Sequence, residues 1–317
     1  MTKRWIVLPI IVFSLLTLIS FAVRFPKEEN KPKIIVVVPR LDIEYWKIFE
    51  SGAKKAFHEF DIDGKVIAPD SVSPISNHTN MLKKVLKQQP DALILVPIDD
   101  PSITIPVLME YKKKRIPVVL TSRDMEWEYK TAYIGTDNTV LGETAGKLLG
   151  SMLQPGDQVA IIFGSLEDRT MIDRKNGAKE ALEDIGIEVV TEQIGYNHFG
   201  NPKPVMESIL QTYPNIKGVV ATSDRLALEA LKTIEKDALQ IPVIGTDGTI
   251  EMTKFIKTGK ISATTAQNPY DMGYQSVEQA QKAIKGGNVA KRIDTGIDLI
   301  TKDNAKERLN FLKDVLH

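Results

Sequence analysis

The chain has 317 residues, room for two domains that each bury a core of their own. Its 41 Lys and Arg are balanced by 41 Asp and Glu, and no polybasic tail stands out, which argues against nucleic acid as a partner. Cysteine is absent, which excludes a structural disulfide, a thiolate metal site, a Cys nucleophile and lipid attachment at a processed N-terminal Cys.

Lys3 and Arg4 precede an apolar run over 5–23, which is followed by Arg24, Pro26 and Lys27. The run is close to the roughly 20 residues that cross a bilayer as a helix. The leading basic residues favour an inside N-terminus, and Ser20-Phe21-Ala22 offers the small residues that a signal peptidase reads. Residues 1–32 are therefore expected to be a membrane anchor or cleaved signal with a short polar linker. In either case the bulk of the chain lies outside the cytoplasm, at the cell surface or in the periplasm.

After the linker, apolar runs of strand length alternate with segments of helical spacing. That pattern predicts an α/β protein with parallel sheets covered on both faces. Strands are expected over 33–38, 66–68, 92–96 and 117–120, with helices over 45–60, 77–87 and 103–113 between them. A helix over 141–153 and the turn Pro155-Gly156-Asp157 restart the cycle. Strands then follow over 158–163, 188–191, 218–221 and 242–244, with helices over 173–185, 204–212 and 227–234.

The chain also repeats itself at one fixed separation. Ile116-Pro117-Val118-Val119 returns as Ile241-Pro242-Val243-Ile244, and Ser51-Gly52-Ala53-Lys54-Lys55-Ala56-Phe57 as Asn176-Gly177-Ala178-Lys179-Glu180-Ala181-Leu182. Asp99 maps onto Asp224 at the same separation. A period this long is not that of a solenoid, and it predicts two similar lobes facing a cleft. In such sheets ligands bind beyond the carboxyl ends of the strands. That rule selects 39–46, 98–101, 121–124, 164–174, 222–225 and 246–249.

At these strand ends the chain resembles the type I periplasmic binding proteins, particularly the ribose-binding and related sugar-binding group. The markers are the opening strand with Tyr45-Trp46 after it, IPVVLTSRD, IGTDNTVLGETAG, DRKNGAKEAL, IGTDGT and TTAQNP. The resemblance implies two doubly wound parallel-sheet lobes joined by a three-strand hinge. The crossings are expected near Thr136-Asp137, Ala266-Gln267 and Thr295-Gly296. The first lobe would then comprise 33–136 with 268–294, and the second 137–267 with 295–317. Residue by residue, it places Tyr45 and Trp46 as rings against a sugar face, and Arg123, Arg174, Asp247 and Gln267 as polar ligand contacts. The chemistry suits those types, since Arg is a planar fork of donors, Asp accepts from hydroxyls and an aromatic face covers C–H surface.

The chain departs from the ribose-binding pattern at several of these positions. Ser122 stands where an Asp is common, Ser223 where an Asn is common, and Ile43 replaces a polar contact. Asn197 (or its neighbour Tyr196) and Thr246 stand where aromatic residues often lie. Ser122, Asn197 and Ser223 are retained as candidate ligand contacts, and a pocket so altered should rank sugars differently from a ribose binder. Arg40, Asp124, Asp168 and Arg225 could add charge at the rim. Asp137 and Asn138 are expected to be structural at a crossing.

No enzyme is expected. The four histidines are scattered, and no Gly-x-Ser-x-Gly elbow, phosphate loop or dinucleotide fingerprint occurs, so neither cofactor nor metal is implied. A sugar-responsive repressor would carry a helix-turn-helix where this chain has its apolar segment. Two roles for a sugar-binding, monomeric soluble part remain: delivery to the permease of an ABC importer, or docking on a membrane sensor histidine kinase.

Overall fold

The computed structural model describes residues 31–69, 74–97, 100–196 and 201–316. The expected anchor or signal at the N-terminus, Asp99 and Asn197 lie outside the described residues. Among the described residues, no helix is long and apolar enough to cross a membrane.

In chain order the elements of the first half are β1 (Lys33–Val37), α1 (Glu44–Glu59), β2 (Asp63–Ile67), α2 (Pro74–Lys87), β3 (Ala92–Leu95), α3 (Pro101–Lys113), β4 (Val118–Thr121) and β5 (Ala132–Gly135). The second half continues with α4 (Asn138–Gly150), β6 (Gln158–Phe163), α5 (Arg169–Glu183), β7 (Glu188–Ile194), α6 (Val205–Thr212), β8 (Gly218–Ala221), α7 (Asp224–Lys236), β9 (Val243–Thr246), α8 (Ile250–Lys257) and β10 (Ala263–Gln267). The chain ends with α9 (Pro269–Ile284), β11 (Arg292–Asp294), β12 (Ile297–Ile300) and α10 (Ala305–Leu316).

The strands form two six-stranded sheets, β11-β5-β4-β3-β1-β2 and β12-β10-β9-β8-β6-β7. The two orders correspond strand for strand, the three-dimensional counterpart of the sequence repeat. The central strands are apolar on both faces, as a sheet covered on both sides requires. In the first sheet Ile34, Val36 and Val38 pack with Phe49 and Met272 of α1 and α9, while Ile35 and Val37 pack with Leu82, Leu108 and Tyr111 of α2 and α3. In the second, Ala160 and Ile162 pack with residues of α6, α7 and α8, and Val159 and Ile161 with residues of α4 and α5.

The glycine shared by the two repeated helices has a physical reason. A Cβ at Gly52 would sit 1.9 Å from the Tyr270 carbonyl oxygen, and one at Gly177 would sit 2.2 Å from that of Thr139. Each lobe therefore brings two helices together backbone to backbone, α1 against α9 and α4 against α5.

Three passages join the sheets. β5 leads into α4, which packs on the second sheet. β10 leads into α9, which packs on the first, and β11 leads into β12. One strand departs from the expected parallel pattern. β11 runs parallel to β5, but β12 is antiparallel to β10. A strand that leaves the first sheet at its carboxyl edge and continues straight on must enter the second sheet from that sheet's carboxyl edge. The C-terminal helix α10 packs against both α8 of the second lobe and α1 of the first, where the Ser51 hydroxyl donates to the Val315 carbonyl.

Candidate ligand-binding site

The carboxyl ends of both sheets face one another, and the loops there carry the polar residues. Arg174, on the first turns of α5, is 5% exposed. Its Nε donates to Asn138 Oδ1 at 2.9 Å and its Nη1 to the Thr222 carbonyl at 2.9 Å. Nη1 also lies 3.5 Å from both Thr246 Oγ1 and Asp247 Oδ1. Asn138 is held in turn by the Thr136 carbonyl, so a residue at the first crossing orients the buried guanidinium.

Asp247 follows β9 with φ of 145°, a conformation that side chains rarely adopt, and its amide donates to the Thr265 carbonyl at 2.8 Å. Its Oδ1 accepts from Gln267 Nε2 at 2.8 Å. The Tyr45 hydroxyl, from the first turn of α1 in the other lobe, donates to Gln267 Oε1 at 3.2 Å. Arg174, Asp247, Gln267 and Tyr45 thus form one polar chain reaching from the second lobe into the first.

Burial sets the protonation of this chain. It pushes the Asp247 carboxyl above the usual carboxylate range, against the opposing pull of Arg174 and Gln267. Burial likewise raises the Tyr45 phenol, which stays a neutral donor. Behind Asp247, Asp224 is buried at the start of α7. Its Oδ2 accepts from the Thr249 amide (2.7 Å) and hydroxyl (3.0 Å), and its Oδ1 from the Thr264 hydroxyl (2.7 Å). Desolvation, then the neighbouring Asp247 charge, push its pKa up to about 7.

The remaining predicted residues fall around this chain. Ser122 follows β4 with φ of 62°, its amide on the Ile134 carbonyl, and its own carbonyl accepts from the Tyr133 hydroxyl. Arg123 reaches over the cleft to Asp168 at 2.6 Å. Asp168 also caps α5, accepting from the Thr170 amide and hydroxyl. Burial works against its ionisation, but Arg123, Thr170 and Arg174 outweigh it and hold its carboxyl below the usual range. The Ser223 and Tyr196 hydroxyls are 2.7 Å apart, and the Arg225 guanidinium lies 5.4 Å from the Tyr196 ring centre. Trp46 is 8% exposed and packed in the first lobe's core, edge-on to Tyr45 (4.9 Å) and Phe49 (6.0 Å). It meets the polar chain through Tyr45.

Sequence reasoning gave no role to Glu44, Thr249 or Thr264. Glu44 Oε1 accepts from the Ile250 amide at 2.7 Å, so the first lobe caps a helix of the second. The strand-end rule selects the stretches that hold Glu44, Asp224 and Thr249, and the repeat adds the correspondence of Asp99 with Asp224, whereas Thr264 lies inside β10 and carries no signal. Among the described residues, no cluster of three acidic or histidine side chains could hold a metal ion.

Residues 34–288 match the periplasmic binding protein domain family. The chain belongs to that family. Its members are extracytoplasmic binding proteins, and the fold is that of the type I group. Among curated relatives, the ribose import binding protein of Bacillus subtilis (strain 168) is 32% identical over 238 residues, covering 75% of this chain and 77% of that protein. Among solved structures, GanP, a glucose-galactose binding protein from Geobacillus stearothermophilus, superposes with a TM-score of 0.79 at 29% identity, covering 87% of this chain and 99% of that one. An ABC transporter solute binding protein from Burkholderia graminis C4D1M, in complex with D-arabinose, gives a TM-score of 0.78 at 25% identity, with 88% and 98% covered.

Proposed function

We propose that this protein is a non-enzymatic, extracytoplasmic receptor for a monosaccharide or a sugar-like molecule. It closes by hinge bending and hands its ligand to the permease of an ABC importer. The observation that carries this reading is the polar chain Arg174–Asp247–Gln267–Tyr45, which collects fork donors, a carboxylate and an amide at the strand ends of one lobe and reaches the other. Such a set matches the vicinal hydroxyls of a pyranose or furanose, with Arg123, Ser122, Ser223 and Asn197 as further contacts and Tyr45, backed by Trp46, as the apolar face. Ligand favours closure by the difference in its affinity for the closed and open states.

The lobes that move are 33–136 with 268–294 and 137–267 with 295–317. Import is favoured over docking on a sensor kinase because the Bacillus subtilis relative is an import binding protein. The apolar segment at 5–23 supports attachment to the cytoplasmic membrane, which fractionation with N-terminal sequencing tests. The soluble part is proposed to be a monomer that binds no nucleic acid.

A thermal-shift panel of D-ribose, D-allose, D-arabinose, D-glucose and D-galactose tests the ligand class, because a ligand that binds only the folded state raises stability by mass action. At least one sugar should raise the midpoint, and Asp247→Ala should abolish that rise while the protein stays folded. Indifference to the whole panel, or an undiminished shift in the variant, would remove this assignment.

A further inference from the structure

Arg308 sits behind the site, on the C-terminal helix α10, and is 8% exposed. Its Nε donates to the Gly248 carbonyl at 3.3 Å and its Nη2 to the Gln267 carbonyl at 3.5 Å. Nη1 lies 3.9 Å from Asp298 Oδ2 on β12, and the guanidinium lies 5.5 Å from the Phe311 ring centre. Its charge also acts on Glu44 and Asp224, the carboxylates that hold the Ile250 and Thr249 amides.

The two carbonyls are not arbitrary. Gly248 directly follows Asp247, and both have positive φ, 75° and 145°. Gln267 is the last residue of β10, where the chain crosses to the first lobe. One planar fork therefore ties the strained turn that aims the Asp247 carboxylate to the hinge strand that carries its hydrogen-bonding partner. A Cβ on Gly248 would lie 2.5 Å from Ala266 Cβ, so this turn is pressed against β10 with no slack.

We infer that Arg308 is a positioning residue for the binding site: from outside the cleft it fixes the Asp247-Gly248 turn against Gln267 and so sets the direction of the Asp247 carboxylate. This rests on the binding role proposed above for Asp247. Without the fork, the Gly248 carbonyl loses its partner, the strained turn relaxes and the carboxylate swings away from the ligand.

Hydrogen exchange in the sugar-free protein tests the positioning without reference to any ligand. In Arg308→Met the Asp247 amide should exchange about tenfold faster, the scale of one lost buried hydrogen bond, while β6 and β8 keep wild-type protection. An unchanged Asp247 amide, or protection lost evenly over the second sheet, overturns the inference. Arg308→Lys keeps the charge but cannot fork to two carbonyls, so it serves if the Met variant does not fold. It should show the same local loosening, and full wild-type protection there is equally fatal.

Affinity for the tightest-binding sugar of the panel gives the second readout. Its Kd should rise about tenfold in Arg308→Met, and about twofold or less when the same change is made on Asp247→Asn. Additive penalties would show that Arg308 does not act through Asp247. If no sugar binds the wild-type protein, the sugar reading fails while the exchange experiment still decides the role of Arg308.

Discussion

Arg123 of the first lobe and Asp168 of the second meet at 2.6 Å, a salt bridge between the loops that face each other across the cleft. Arg123 keeps about a third of its side chain in solvent, so the pair is worth about 1 kcal/mol or less, enough to shift an equilibrium between open and closed lobes by a few-fold. Arg123, which the family resemblance makes a ligand contact, also engages the facing lobe. Asp168→Asn should enlarge the ligand-free protein in solution scattering. Added salt should open the wild-type protein and leave the variant unchanged. Because its carboxyl is held below the usual carboxylate range, the latch is intact above that range and is lost as the pH falls through the lowered value. A scattering curve that ignores both salt and substitution would rule the latch out.

Asp224 predicts the opposite dependence. Its pKa is pushed up to about 7 in the folded chain, so the native state holds a proton that the unfolded chain releases from about pH 4 upward. Its contribution to stability is complete below the unfolded value and is lost as the pH rises through about 7. Asp224→Asn can still accept from the Thr249 amide and should flatten this slope. Urea unfolding at a series of pH values measures it, and identical slopes for the two proteins would refute the assignment.

Gly142→Ala tests the backbone contact beneath Arg174. The new methyl would meet the Arg174 carbonyl oxygen at 2.0 Å, which forces α4 and α5 apart. Overpacking of this kind costs about 1–3 kcal/mol, and the displaced helix carries Arg174 with it. Melting temperature and sugar affinity should therefore fall together. A fall in stability with unchanged affinity would mean that Arg174 keeps its place despite the strain.

Tyr45 and Trp46 are neighbours in sequence and should behave differently. Tyr45→Phe removes only the hydroxyl that reaches Gln267, so affinity should drop about fivefold at nearly constant stability. Trp46→Ala empties a place in the first lobe's core and should cost about 3–5 kcal/mol of stability. Calorimetric binding and chemical denaturation on the two variants separate the effects. A stable Trp46→Ala protein would contradict the packing seen here.

Continuous apolar runs made the strands legible: 158–163 and 218–221 were placed to the residue. No strand is expected from the sequence at β5, because Ala132–Gly135 is only four residues long and stands out from its surroundings by no pattern of its own. Helix α5 starts at Arg169, earlier than the expected 173, because the Asp168 side chain caps it by accepting from the Thr170 amide. The polar chain of the site was largely readable, since its members stand at strand ends that the repeat and the family resemblance mark. Arg308 was not. It reaches Gly248 and Gln267 through a helix far along the chain, and no local pattern distinguishes a buried arginine from a solvated one.

The order of elements also constrains biosynthesis. Helix α9 and strand β11 complete the first sheet, yet both are made after nearly all of the second. The second sheet in turn waits for β12. Neither half can finish while much of the chain is still emerging from the ribosome, so their long-range pairings form late and slowly. A polypeptide that must thread through a membrane translocation pore before it folds gains time from that delay.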